Sequence, residues 1–424
     1  MTTLSVFLLL AATAGAAEPP CYGFGADNRL EGEHFWIEWG EVGDEATSAN
    51  MLQWAEEARQ FYIDEMGYAF TDRTILLRIQ SSPVNGGVCQ TAECDDGDVV
   101  PVITLFAKAT GEPGENTTKH EVAHAVQYAY MGAYLDAISS WPWWMEGSAT
   151  WMATHAHGAS SSWAGDVRNY LSQPWLALHQ DLSAYLVDER GAHMYGTALL
   201  AQHLEDNYGV DKVRETWEVG GPSSGETILF PDVIAAIGLD WPEFWRGFMA
   251  SVTVVDSTHA NALSEGPFIE QRVSGFPDSG APDEETKPQG YGLSIVKFQK
   301  AAGDPESPLE VTFEGDPAVP WLAVLVTTKG KAVDGKVQDI VPLEVGADGT
   351  GSAVLTGYDG TVDGWLVVSP QTLSMDGHTY EWSADWVADD TGGGAGKGGC
   401  GCATGGAGAG WLGVLGLFGM RRRR

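Results

Sequence analysis

The chain has 424 residues, 44% of them hydrophobic, with 23 Lys+Arg against 58 Asp+Glu and a formal net charge of -35. That length allows two domains of ordinary size, each with a core of its own. Charge of this sign and size repels phosphate backbones and anionic headgroups, so the body is expected to have no nucleic-acid partner and no anionic lipid surface as a partner.

Residues 1–17 read as a signal peptide. Leu4 to Ala14 is almost wholly apolar, and Ala14-Gly15-Ala16 and Gly15-Ala16-Ala17 are small-residue cleavage sites. The run is too short to span a bilayer and ends in Glu18-Pro19-Pro20. Export places the cysteines in an oxidising compartment. There the short spacing of Cys89 and Cys94 predicts a small-loop disulfide, with Cys21 left over.

His34 to Gly40 is a predicted strand. Ala46 to Met66 is a predicted helix, because Met51, Ala55, Ala58, Phe61 or Tyr62, and Met66 recur at helical spacing before Gly67. Thr74 to Gln80 and Val99 to Phe106 are predicted strands. Pro101 cannot donate to a ladder, which puts the second strand at a sheet edge. Gly111 to Gly114 breaks the chain, and Asn116 or Thr117 can cap a helix running through Tyr128. From Glu146 to about Ser251 the pattern is mainly helical, with a stripe at Leu199, His203, Leu204 and Tyr208.

From about Asn261 the texture changes. Apolar runs at Leu293–Phe298, Leu309–Phe313, Trp321–Val326, Ile340–Val345, Ala353–Leu355, Trp365–Val368 and Tyr380–Trp386 alternate with turn residues, as in an antiparallel β-sandwich. Ser274–Gly290 is a candidate linker or long loop. After Gly393 come Cys400-Gly401-Cys402, an apolar run to Met420, and Arg421 to Arg424. A short apolar span backed by arginines reads as a membrane stop.

The informative pentapeptide is His120-Glu121-Val122-Ala123-His124. On a helix, residues four apart share a face, so both imidazoles can reach one metal ion. Neutral imidazole is a good zinc ligand, and Glu121 beside it can take a proton from an activated water. A catalytic zinc needs a third protein ligand and an open position. Glu146, in Trp143-Trp144-Met145-Glu146-Gly147, is the best candidate, since a carboxylate in a tryptophan-rich run is costly to bury without a cation. Asp136, His155 and His157 are weaker substitutes. Tyr195 first, and His193 second, are candidates to stabilise an oxyanion. Cys94-Asp95-Asp96-Gly97-Asp98 could offer oxygen ligands to Ca2+, although an exposed acidic turn is the simpler reading.

The pair HEVAH and WWMEGSATWMA resembles the gluzincin arrangement of zinc metallopeptidases, and looks most like secreted metalloproteases of myxobacteria. The resemblance implies one catalytic Zn2+ held by His120, His124 and Glu146, with Glu121 as the catalytic acid/base and a peptide or protein as substrate. The tail resembles the MYXO-CTERM sorting tag, which implies attachment to a membrane before processing and a final place at the cell surface or in the medium. The expected fold is α+β. Residues 1–17 form the signal peptide and 18–260 a zincin-like domain with a mixed sheet and active-site helices. Residues 261–390 form a β-sandwich, and 391–424 a Gly-rich linker and tag. The rival readings are a catalytically inactive peptidase-fold protein acting in binding or adhesion, and a zinc hydrolase of non-peptide bonds.

Overall fold

A computed structural model of the chain describes residues 19–387, apart from 83–85, 108–109, 132–140, 159–160, 180–192, 221–229, 302–303, 306 and 359–361. The expected signal peptide, the expected tag and the candidate Asp136 lie outside the described residues. The fold is mixed α+β, and residues up to Val387 belong to one compact unit.

The N-terminal part is built on a five-stranded sheet of β1 (Asn28–Glu31), β2 (Phe35–Trp39), β3 (Ile75–Gln80), β4 (Gly87–Glu93) and β5 (Val99–Phe106), in the order β1-β2-β3-β5-β4. Strands β2, β3 and β5 run parallel, and β1 and β4 pair antiparallel at the two edges. Helix α1 (Glu45–Asp64) connects β2 to β3, as a parallel crossover requires. Its first turn is capped by Asp44, whose Oδ1 accepts from the Thr47 N–H at 2.8 Å.

Three local expectations change here. Strand β5 is interior, not an edge. Its pairing with β3 begins only at Val102, so Pro101 lies just before the stretch with a partner on both sides. The disulfide joins Cys21 to Cys94, with Cα atoms 5.5 Å apart, and leaves Cys89 buried and free. Cys89 belongs to β4 and is packed into the core, whereas Cys94 lies in the turn beyond that strand, where the N-terminal segment meets it. The site helix α2 spans Gly111–Tyr128, starting ahead of Asn116. Pro113 falls in its first turn, where a missing N–H removes no helical bond.

The helical part continues with α3 (Pro142–His157), α4 (Ser161–Ser172), α5 (His193–Gly196), α6 (Ala198–Tyr208), α7 (Val210–Gly220), α8 (Phe230–Ala236) and α9 (Trp241–Val252). Large aromatics fill this layer: Trp144, Trp151, Trp163, Trp217 and Trp245 are fully buried. Helix α3 approaches the turn before α6 closely because residue 147 is glycine. A Cβ there would collide with Thr197 Oγ1.

Residues beyond α9 form β6 (Gln271–Ser274), β7 (Asp278–Gly280), β8 (Ser294–Gln299), β9 (Leu309–Gly315), β10 (Trp321–Lys329), β11 (Lys336–Leu343), β12 (Thr350–Leu355), β13 (Asp363–Pro370) and β14 (Tyr380–Trp386). One sheet has the order β11-β10-β13-β8-β6 and the other β12-β9-β14-β7. All the pairings are antiparallel except β6 with β8. The two sheets share a core to which β8 gives Phe298, β13 gives Leu366, β9 gives Phe313 and β14 gives Trp382. Strands β10 and β13 are buried on both faces, which explains their unbroken apolar runs. Val324, Val326, Trp365 and Val367 join the helical core on the other side. There Trp245 Nε1 donates to Ser369 Oγ at 3.0 Å.

The stretch from Ser274 to Gly290 is structured, not a free linker. It contains β7, and its end is fixed by Gln289 N–H donating to Trp175 O and Gly290 N–H to Ser374 O, both at 2.8 Å. No helix among the described residues is long and apolar enough to cross a membrane.

Candidate metal centre

Helices α2 and α3 pack against each other and bring three donor groups together. His120 and His124 lie one turn apart on α2, with ring centroids 4.6 Å apart and planes at 90°. Glu146, in the second turn of α3, reaches both. Its Oε2 is 3.0 Å from His120 Nε2 and 3.3 Å from His124 Nε2. One ligand atom from each of the three residues lies within 4.8 Å of the others, and this group could hold a metal ion. Two imidazole nitrogens and a carboxylate oxygen suit a divalent cation.

The electrostatics fit a cation site. Burial alone would raise the Glu146 carboxyl, but the two imidazoles, His124 first, outweigh it and hold that carboxyl far below its usual range. Burial works against a charged His124, yet the Glu146 charge lifts it to about 9. His120 is lowered, chiefly by burial.

Glu121 is adjacent in sequence but outside this donor group. It is 5% exposed, and its Oε2 is buried with no hydrogen-bond partner. Burial pushes its carboxyl up to about 7, over the opposing pull of His124 and with some help from the Glu146 charge. Strand β4 passes directly against it. A Cβ at Gly87 would stand 2.7 Å from Glu121 Cγ and 2.9 Å from its Oε1, so the position beside the carboxylate has no room for a side chain.

Tyr195, on α5, is beside the group, its ring centroid 5.9 Å from that of His120. His193 is placed otherwise: it is 1% exposed, packs on Tyr170 of α4 at 4.8 Å, and is held neutral by burial, with its pKa pushed down to about 4. Of the weaker substitutes, the two among the described residues are engaged elsewhere. His155 pairs with Glu205 at 2.6 Å and His157 with Glu115 at 2.8 Å. In the acidic turn, Asp96 lies 2.6 Å from Arg73 Nη2 and Asp98 pairs with the same nitrogen, so a guanidinium meets the charge that Ca2+ would have met.

The surroundings supply residues that the motif alone does not name. Gln127 is fully buried and joins the two helices, bonding His124 on its own helix and Met145 O and Ser148 Oγ on α3. Its position three residues after His124 puts it on the same helix face, the one sequence signal that could have found it. Thr150 Oγ1 lies 3.5 Å from His120 Nδ1. Asp166 on α4 is close enough for the Glu146 charge to add to burial, and its carboxyl is pushed up to about 7. No protein-family model matches this chain, and no sequence among the curated proteins matches it.

Proposed function

We propose that this chain is an exported zinc-dependent endopeptidase of the gluzincin type, with a zincin-like catalytic part and a β-sandwich formed by the two facing sheets. The observation that carries the reading is the convergence of His120, His124 and Glu146, with Glu121 buried alongside but outside the donor group. The His/His/Glu donor set favours zinc over harder cations that prefer oxygen ligands alone. When bound, the metal supplies Lewis-acid polarisation of the scissile carbonyl and acidifies the attacking water.

Glu121 then does the proton work. Its unpartnered oxygen accepts a proton from the attacking water as the new C–O bond forms. It returns that proton to the amide nitrogen as the C–N bond breaks, leaving a carboxylic acid and an amine. Tyr195, beside His120, is placed to donate to the developing oxyanion. His193, packed on Tyr170, is better read as a structural residue. A peptide substrate is favoured over a non-peptide one by β4. It is the last strand of its sheet, so an extended chain could add to its outer edge beside Glu121.

The signal peptide would direct export, and the C-terminal tag would hold the chain at a membrane before processing. The rival reading, an inactive peptidase fold used for adhesion, keeps the same donor group without turnover. Glu121→Gln separates the two. It should retain metal and lose casein cleavage by about 100- to 10,000-fold. Cleavage at the wild-type rate would remove Glu121 from the mechanism.

A further inference from the structure

Asp166 has no part in the donor group, yet the packing of three helices carries it to the margin of the metal centre. Helix α5, which bears Tyr195, packs against both α3 and α4. Its contact with α4 is tight at residue 196: a Cβ on Gly196 would collide with the Asp166 carbonyl oxygen and with Tyr170 Cβ. Asp166 and Tyr170 are four residues apart, so one face of α4 bears both side chains, and that face fronts α5. Tyr195, next to Gly196, stands beside His120. On the α3 side, Asp166 is close enough to Glu146 for one carboxylate to feel the other.

The acids that meet the far end of α3 have cationic or imidazole partners. Glu115 pairs with His157 and Lys119, and Glu205 with His155. Asp166 is only partly exposed and forms no hydrogen bond or ion pair. Arg168, two residues on, is exposed and leaves α4 on the opposite side, because two helical steps turn the chain through about 200°. His193 of α5 is packed on Tyr170 and kept neutral by burial. A carboxylate withdrawn from water without a counter-charge is unfavourable, and a second carboxylate nearby makes it more so. A metal ion on His120, His124 and Glu146 answers the charge of Glu146 and leaves that of Asp166.

We propose that Asp166 is a specificity residue of the peptidase and receives a basic side chain, lysine or arginine, of a substrate residue flanking the scissile bond. The inference rests on the peptidase reading and names its substrate class. An ammonium or guanidinium completes a charge-assisted pair with a carboxylate that has none. An apolar side chain leaves the carboxylate unpaired, and an acidic one meets both Asp166 and Glu146. The formal charge of the whole chain, -35, acts in the same direction by drawing cationic polypeptides to it.

The test uses the metal-loaded full chain and N-acetylated, C-amidated peptides that differ in one residue, so that only a side chain brings the charge. Cleavage sites in unfolded casein, mapped by mass spectrometry, show which flanking position is enriched in lysine and arginine. At that position lysine, arginine, norleucine and glutamate are compared at low salt and mildly alkaline pH. The ratio kcat/KM should be about 10-fold higher for lysine or arginine than for norleucine, and lowest for glutamate. Asp166→Asn, of the same shape but uncharged, should cut that advantage to below about twofold, with zinc content at the wild-type level. Glu121→Gln gives a readout free of turnover: its Kd should favour the lysine peptide over the norleucine peptide, and the double variant with Asp166→Asn should not discriminate. If the wild type cuts no peptide, the peptidase reading falls and this inference with it. Equal cleavage of the lysine and norleucine peptides, or a preference that survives Asp166→Asn, overturns the inference alone.

Discussion

Oε1 of Gln127 lies 2.8 Å from Nδ1 of His124, and the rest of the glutamine fixes the direction of that hydrogen bond. Gln127 Nε2 donates to Met145 O and to Ser148 Oγ, each at 3.0 Å. Ser148 Oγ in turn donates to Trp144 O at 2.6 Å, so towards the amide it is an acceptor. The glutamine oxygen must then accept from His124 Nδ1–H. In neutral His124 this leaves the Nε2 lone pair free on the side facing Glu146, which is the tautomer a metal ligand needs.

Gln127→Leu should therefore weaken metal binding by about 10- to 100-fold, the usual effect of losing a partner behind a ligating histidine. Competition against a chelator of known affinity reads this directly, with far-UV circular dichroism to check the fold. Unchanged affinity in a folded variant would show that packing alone orients His124.

Gly87→Ala tests the placement of Glu121 without touching the metal ligands. The added methyl would stand 2.7 Å from Glu121 Cγ and must displace it. A misplaced catalytic group can cost on the order of 100-fold, so turnover should fall by roughly that amount while metal content stays at the wild-type level. A variant with wild-type turnover would place the working carboxylate elsewhere.

Stability should fall as the solution is acidified from about pH 6.5 to about pH 4. His193 and His203 have ordinary imidazole values near 6.5 when unfolded and about 4 when folded. Over that interval the unfolded chain binds protons that the folded chain refuses. The contribution is fully present above 6.5 and is lost as the pH falls through the folded value. The shift corresponds to about 3 kcal/mol per histidine. Urea midpoints measured across this range should fall less steeply for His203→Phe than for the wild type. Parallel slopes would contradict the assignment.

The centre and the fold were legible to different degrees. The meeting of His120 and His124 could be read because residues four apart share a helix face, and Glu146 beside them from its place in a tryptophan-rich run at the start of the next helix. Each of the seven apolar runs beyond residue 261 overlaps a strand, since strands buried on one or two faces must carry them, although Ile340–Val345 overruns β11 by two residues. Strand β4 left little trace. Its sequence, Gly-Val-Cys-Gln-Thr-Ala-Glu, lies at a sheet edge where only Cys89 is fully buried. The cysteine pairing depends on where the N-terminal segment returns to the turn after β4, which spacing between Cys89 and Cys94 cannot express. Gln127 was missed because its role depends on which groups of α3 pack opposite it.

The central claim is tested most directly by the metal content of the purified mature protein, beside His124→Ala and Glu121→Gln. The wild type and Glu121→Gln should each hold one equivalent of tightly bound zinc, and His124→Ala should lose most of it. Absence of zinc from the wild type after equilibration with the ion, or a full equivalent retained by His124→Ala, would contradict the assignment of His120, His124 and Glu146 as its ligands.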